Sequence, residues 1–475
     1  MSQRSEYHPQ PDPPVASYAG SERRSQTALS QLARQFDYAC TSAVDSLQIA
    51  AALESGGITD RIAHDEYGLP DVFALAEELY RRVPRRLKTQ AGERRSSRRW
   101  QTLRELSHGP LFALPGLAYP AVAAAIGGQS LLVGLVFSTA VGWAWGLGVS
   151  WLGYRLIGRG FHEEAARLLL RLSLIGVLAA ELGALLLSYL LGLPTHTVLL
   201  ATGQMAYQMA ASVLIMYRLE AWLLLSLLPS IAANGWYLIL GSPAWGQSIA
   251  LWGSTATLII LQLGAFIALW KTPRAKSFFA TLSAGDFVGV LPVLGYGSLS
   301  ATLVLLGNAR YMFSSLDLSL SILPLVLSMG VLEWQIRRFR ERSTLFLRET
   351  RWISEFVPKV WRALLQSLGV CLLAVSLISC VTVFGLYQLG MLSQEGTTMF
   401  AAHLLLAGAF FINFILLAQS RFGWMLGSFA GAVLLYLGAG FFLSPALSYL
   451  AATSLLMVAV TIAIGPNLGR VAHYR

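Results

Sequence analysis

Glu181 sits in the run Leu-Ala-Ala-Glu-Leu-Gly near the middle of a long apolar block. An ionised carboxylate at a bilayer centre costs at least about 2.5 kcal/mol, so this side chain must face protein or water. It is a candidate proton-coupling or lumen residue, with a protonated carboxyl bridging two helices as the plainer alternative. Gln204 and Gln208 lie one helical turn apart beside Tyr207, so they share a face that can meet hydroxyl groups. Amides also hold apolar helices together, and Asn413 carries the same two readings. Arg310 stands with Asp317 around a short loop, either as a receptor for a pyrophosphate or acidic sugar or as half of an exposed ion pair. Arg155, Arg159 and Arg218 fall between apolar blocks, where they would attract a phosphate-bearing head group.

Other chemistries are poorly served. His403 has no second His, Cys or carboxylate at ligand spacing, so no metal and no cofactor are expected. There is no Asp-x-Asp, no phosphate-binding glycine loop and no large loop outside the membrane to carry a catalytic pair, so the chain is not expected to be an enzyme. Cys40, Cys371 and Cys380 are too scattered for a disulfide framework and read as small core residues.

The elements that position these residues follow from composition. The chain has 475 residues, 55% of them hydrophobic and 13% charged, against about 25% charged in a soluble globular protein. Mean hydropathy is +0.57 although the first hundred residues are polar. The rest must therefore be apolar in membrane-length blocks, and twelve are found between residues 110 and 466. With the amino terminus in the cytoplasm, 34 of the 35 basic residues fall on the cytoplasmic side, Arg310 being the exception. A missed or invented block would invert every later loop. The pattern predicts a polytopic all-α protein of the cytoplasmic membrane with both termini inside. The net charge of +10 is accounted for by these loops, so membrane lipids, not nucleic acid, are the expected partners.

Residues 1–30, rich in Pro and Ser, read as a disordered tail. Residues 31–105 read as a small helical cytoplasmic domain that ends in a basic juxtamembrane anchor. Helices are expected over 31–54 and 59–67, with Pro70 in the first turn of a third. The first six-helix bundle is assigned to 106–276 and the second to 277–475. The basic and aromatic stretch 337–362 is expected to lie as an amphipathic helix in the head-group layer.

Leu114-Pro115-Gly116-Leu117-Ala118-Tyr119 in the first block matches Leu291-Pro292-Val293-Leu294-Gly295-Tyr296 in the seventh. Long basic segments follow blocks two and eight, and single arginines follow blocks four and ten. The chain thus reads as a duplicated six-helix unit with an axis along the membrane normal. Pro115 and Pro292, each with its tyrosine (Tyr119, Tyr296), are expected to bend the first helix of each half and act as gates.

At this point the sequence resembles the multidrug/oligosaccharidyl-lipid/polysaccharide (MOP) flippase superfamily over residues 108–470. The charged connector Arg159-Gly160-Phe161-His162-Glu163-Glu164-Ala165-Ala166-Arg167 is similar to that superfamily's link between helices two and three. Leu294-Gly295-Tyr296-Gly297, Arg310-Tyr311-Met312-Phe313 and Glu333-Trp334-Gln335-Ile336-Arg337-Arg338-Phe339-Arg340 resemble its Pel-type exopolysaccharide branch. The resemblance implies two pseudo-symmetric bundles rocking about a cavity. It also implies a glycan or lipid-linked glycan as substrate, and a glycosyltransferase or other export-complex subunit as partner of residues 31–105. A small-molecule or multidrug antiporter of the same fold, and a scaffold that transports nothing, are the alternatives.

Overall fold

A computed structural model of the chain describes residues 28–33, 36, 40, 43, 45–82, 90–240, 244–271, 283–312, 315–350 and 353–468. Residues 1–27 of the expected 1–30 tail, the anchor residues 83–89 and the loop 272–282 lie outside the described residues, whereas residues 28–30 are helical and Leu29 is buried. Among those described the structure is helical, without strands. The chain divides into two units, residues 1–99 and 100–475.

In the first unit, helices Ser46–Ser55, Asp60–Tyr67 and Val72–Arg82 close around Ile49, Leu53, Ala63, Val72, Leu75 and Leu79. Asp45 caps the first helix by accepting from Gln48 N at 3.0 Å. Gly68, with φ 70°, ends the second in the left-handed conformation that favours glycine. Pro70, expected in the first turn of the third helix, lies before it, since the helix begins at Val72. Asp71 precedes the third helix and accepts from Ala74 N at 2.7 Å, so its carboxylate sets the start.

Among the described residues, twelve helices are long and apolar enough to cross a membrane: Arg99–Ile126, Gly128–Gly158, His162–Leu191, Thr195–Met216, Glu220–Ile239, Trp245–Trp270, Gly285–Tyr311, Leu316–Leu347, Ser354–Gln388, Gln394–Ala418, Phe422–Ala439 and Pro445–Leu468. They are numbered spans 1 to 12 in that order. Leucines such as Leu182, Leu186, Leu373 and Leu377 project from spans 3 and 9 as an exposed apolar belt. Span 10 is 72% buried in its most apolar stretch and span 9 only 11%, so span 10 is the axis of the second bundle and span 9 its outer flank.

Packing repeats between the halves. Spans 2 and 3, 3 and 4, 4 and 6, and 5 and 6 touch, and so do 8 and 9, 9 and 10, 10 and 12, and 11 and 12. The bundles join where span 2 meets span 7 and span 1 meets span 8. Six positions on, span 1 becomes 7 and span 2 becomes 8, so these are one contact seen twice under the duplication.

Two local features differ from the sequence reading. Pro115 does break span 1, through a 3-10 turn at Leu114–Ala118, but Pro292 lies inside the uninterrupted helix Ala284–Asn308. The stretch 337–362 is not a separate surface helix. Its first part extends Met329–Glu349 and its last part opens Ile353–Gln388, because both helices run past the apolar layer. Span 8 is itself interrupted, into Leu316–Leu320, Leu323–Leu327 and Met329–Glu349, around Ser321 and Ser328.

Candidate functional site: a cavity in the first bundle and the junction at the basic end

A cavity of about 150 Å³ opens inside the first bundle, among spans 1, 4, 5 and 6. Its polar lining is Tyr119, Gln204, Tyr207, Ser230, Ser254 and Thr257, and its apolar walls include Pro115, Leu199, Leu200 and Leu258. The Pro115 turn carries Tyr119 into this space, where its hydroxyl meets the Gln204 amide. Glycine at 253 brings spans 5 and 6 together, since a Cβ there would lie 2.7 Å from Pro229 O. That approach lets Ser230 N donate to Thr257 Oγ1 at 3.1 Å and Asn234 Nδ2 to Ser254 Oγ at 3.0 Å. The hydroxyls are thus largely satisfied within the wall, leaving the two tyrosines and the amide to meet a guest.

The second feature lies at the end of the spans that carries Arg155, Arg159 and Arg218, termed here the basic end. Asp286, fully buried at the start of span 7, accepts from Arg155 Nε at 2.6 Å and from both terminal nitrogens of Arg159 at 3.1 and 3.2 Å. It also closes a capping box, accepting from Ser283 N and Oγ at 3.0 Å each. Arg337 Nε donates to Glu105 Oε1 at 2.6 Å, and His108 Nδ1 lies 2.5 Å from Glu333 Oε2. The Arg155–Asp286, Arg159–Asp286, Arg337–Glu105 and His108–Glu333 pairs cross from one bundle to the other. Backbone closeness matches them: a Cβ on Gly330 would lie 2.5 Å from Glu105 O and 2.6 Å from Leu106 O.

Of the residues singled out in the sequence, Pro115, Tyr119 and Gln204 meet in the cavity. Gln208 does not. It packs against the backbone of Gly142 in span 2, one face further round span 4. Glu181 is half-exposed on span 3 and is not part of the lining. Asn413 is buried in span 10, its amide donating to Ala409 O at 2.9 Å. Tyr296 is buried against Phe429, edge to face at 5.4 Å. Arg218 is exposed in a left-handed turn between spans 4 and 5. Arg155 and Arg159 are engaged by Asp286, so a head group would have to compete with a buried carboxylate. The exposed Arg310–Asp317 pair does not form. Asp317 is buried and accepts from Ser315 Oγ, Ser393 N and Ser393 Oγ, while Arg310 lies over the Tyr311 ring. Sequence reasoning passed over His108, Glu220 and Asp286. Their only signal is a charged group in the first turns of a span or just inside one, and nothing in the chain names the partner. No cluster of three or more His, Cys, Asp or Glu suited to a metal occurs among the described residues.

No family model matches the chain, and no curated protein does. Among solved structures, the crystal structure of a MATE in complex with MaD5 aligns over 78% of this chain and 94% of its own, with a TM-score of 0.51 and 16% identity. The fold is MATE-like. An inward-facing multidrug resistance MATE family transporter of the MOP superfamily aligns over the same shares at 15% identity and a TM-score of 0.45. At this identity the likeness shows the fold alone, and it gives the Pel-type branch no support.

Proposed function

We propose that the chain is a membrane transporter that moves small amphipathic organic molecules by alternating access between its two bundles, with the basic end in the cytoplasm. The observation that carries this reading is the cavity of the first bundle. Its walls are apolar, its rings (Tyr119, Tyr207) suit a flat aromatic or cationic guest, and Gln204 offers one amide to fix orientation. The MATE-like fold supports it, as does the junction: ion pairs and backbone contacts hold the bundles together at the basic end, while the cavity lies nearer the other end of spans 1 and 4. That is the arrangement of a transporter closed toward the cytoplasm.

Polysaccharide export has less behind it. A growing glycan needs a long hydroxyl-rich groove, whereas this space is small and mainly apolar.

The reading is tested in cells stripped of their own drug-efflux pumps and loaded with a fluorescent amphiphile such as ethidium. Expression should lower the retained dye severalfold, and Gln204→Ala or Tyr119→Ala should restore much of it at equal protein levels. Dye retention unchanged by the full chain, or identical efflux by both variants, overturns the proposal.

A further inference from the structure

His108 is 5% exposed in span 1 and bracketed by two carboxylates. Its Nδ1 lies 2.5 Å from Glu333 Oε2 of the second bundle, and its Nε2 lies 3.5 Å from Glu220 Oε1 of the first, a side chain itself 8% exposed. A neutral imidazole has one N–H and one lone pair, so it would turn a lone pair toward one of these carboxylates. Only the imidazolium presents an N–H to both sides, Nε2 standing at ion-pair distance from Glu220 without a hydrogen bond.

The surroundings fit a single extra proton. Span 1 adds Arg104, whose Nε is 3.1 Å from Glu220 Oε1, and Glu105. Span 8 adds Arg337, which pairs with both Glu105 and Glu341. Tyr154 of span 2 lies within electrostatic reach of Glu333, Glu220, Arg104 and Arg218 of the span 4–5 turn. Arg104 and Arg337 thus pair with Glu220, Glu105 and Glu341, and Glu333 meets His108.

We propose that His108 is a proton-binding site at the bundle junction, and that its proton latches the basic end shut. The inference rests on the alternating-access reading above. Glu333 belongs to the other bundle, so opening this end must pull it away from His108, while Glu220 stays behind on the first bundle. The Asp286 contact with Arg155 and Arg159 is a second tie with no histidine in it, so proton loss at His108 weakens the junction without abolishing it. A proton taken up when the basic end closes and released when it opens makes the closure of that end depend on pH.

The test measures distances across the basic end, independently of any transported molecule. Spin labels are placed by H162C, at the start of span 3, and G423C, at the start of span 11, in the full chain with Cys40, Cys371 and Cys380 replaced by alanine. The protein is held in lipid nanodiscs and read by pulsed electron resonance. Raising the pH from about 6 to about 8.5, through the histidine range, should move the ratio of long to short distances by about tenfold. H108Q should remove this response, and H108R, a permanent cation, should hold the short distance throughout. A merely structural histidine would not give opposite outcomes for these two replacements. A distance distribution indifferent to pH, or a response that survives both replacements, overturns the latch. Dye efflux by the same preparations separates the two claims: efflux without a His108-dependent distance change sinks the latch alone, and the distance change without efflux sinks the transport reading alone.

Discussion

Asp286 has no exposed surface, yet it carries a full charge in a protein that spans a membrane. The cost is offset by four partners: two guanidinium groups, a backbone N–H and a hydroxyl. Removing the carboxylate strips the span 7 cap and leaves Arg155 and Arg159 facing one another at the junction. Asp286→Ala should therefore cost about 1–3 kcal/mol, read as a lower thermal midpoint of the purified protein. Since Arg155 and Arg159 are themselves 43% and 39% exposed, single replacements of either should cost less than loss of the aspartate. A double-mutant cycle of Asp286→Ala with Arg159→Ala should show a coupling above about 0.5 kcal/mol, and strict additivity would mean that the contact stores no energy. None of this could be read from the sequence. Asp286 and Arg159 are 127 positions apart, and arginines at a membrane edge look alike whether they meet lipid or protein.

At the level of elements, the spans were legible because a bilayer imposes a condition that each helix meets alone: enough apolar length, with every backbone group bonded internally. The Pro115 break was legible for the same reason, as proline acts on its own helix. Pro292 sits inside a helix that continues through it, so it does not break span 7 as Pro115 breaks span 1. The interruptions of span 8 at Ser321 and Ser328 also had a local signal, Pro324 in the first turn of Leu323–Leu327. They place the Leu327 backbone beside Gly109 and Gly330 beside Glu105, so that spans 1 and 8 touch main chain to main chain. Backbone cannot step aside as a side chain can. Gly330→Ala should therefore destabilise the protein by about 1–3 kcal/mol through overpacking, whereas Gly369→Ala, in open space on span 9, should be neutral or slightly stabilising. Equal thermal midpoints for the two variants would show that spans 1 and 8 are not in backbone contact.

For the molecule as a whole, the duplication explains why one junction is built twice, and the separate cores explain what can be removed. The apolar interior of the first unit is built from its own residues, Leu29 to Leu79, and the second unit's clusters begin at Leu111. Each unit thus meets its own requirement for buried apolar area, which is the physical condition for folding apart from the other. Deleting residues 1–82 while leaving the basic segment that precedes span 1 should yield a monodisperse twelve-span protein in detergent. Its thermal midpoint should lie within a few degrees of the full chain, because the apolar clusters of the membrane unit are built from its own residues. The basic segment has to stay, since its arginines are the strongest charge bias in the chain and set which side of the membrane the first span enters from. Aggregation of the truncated protein despite correct insertion would mean that the small helical unit shields part of the membrane unit, and that the two cores are not energetically separate.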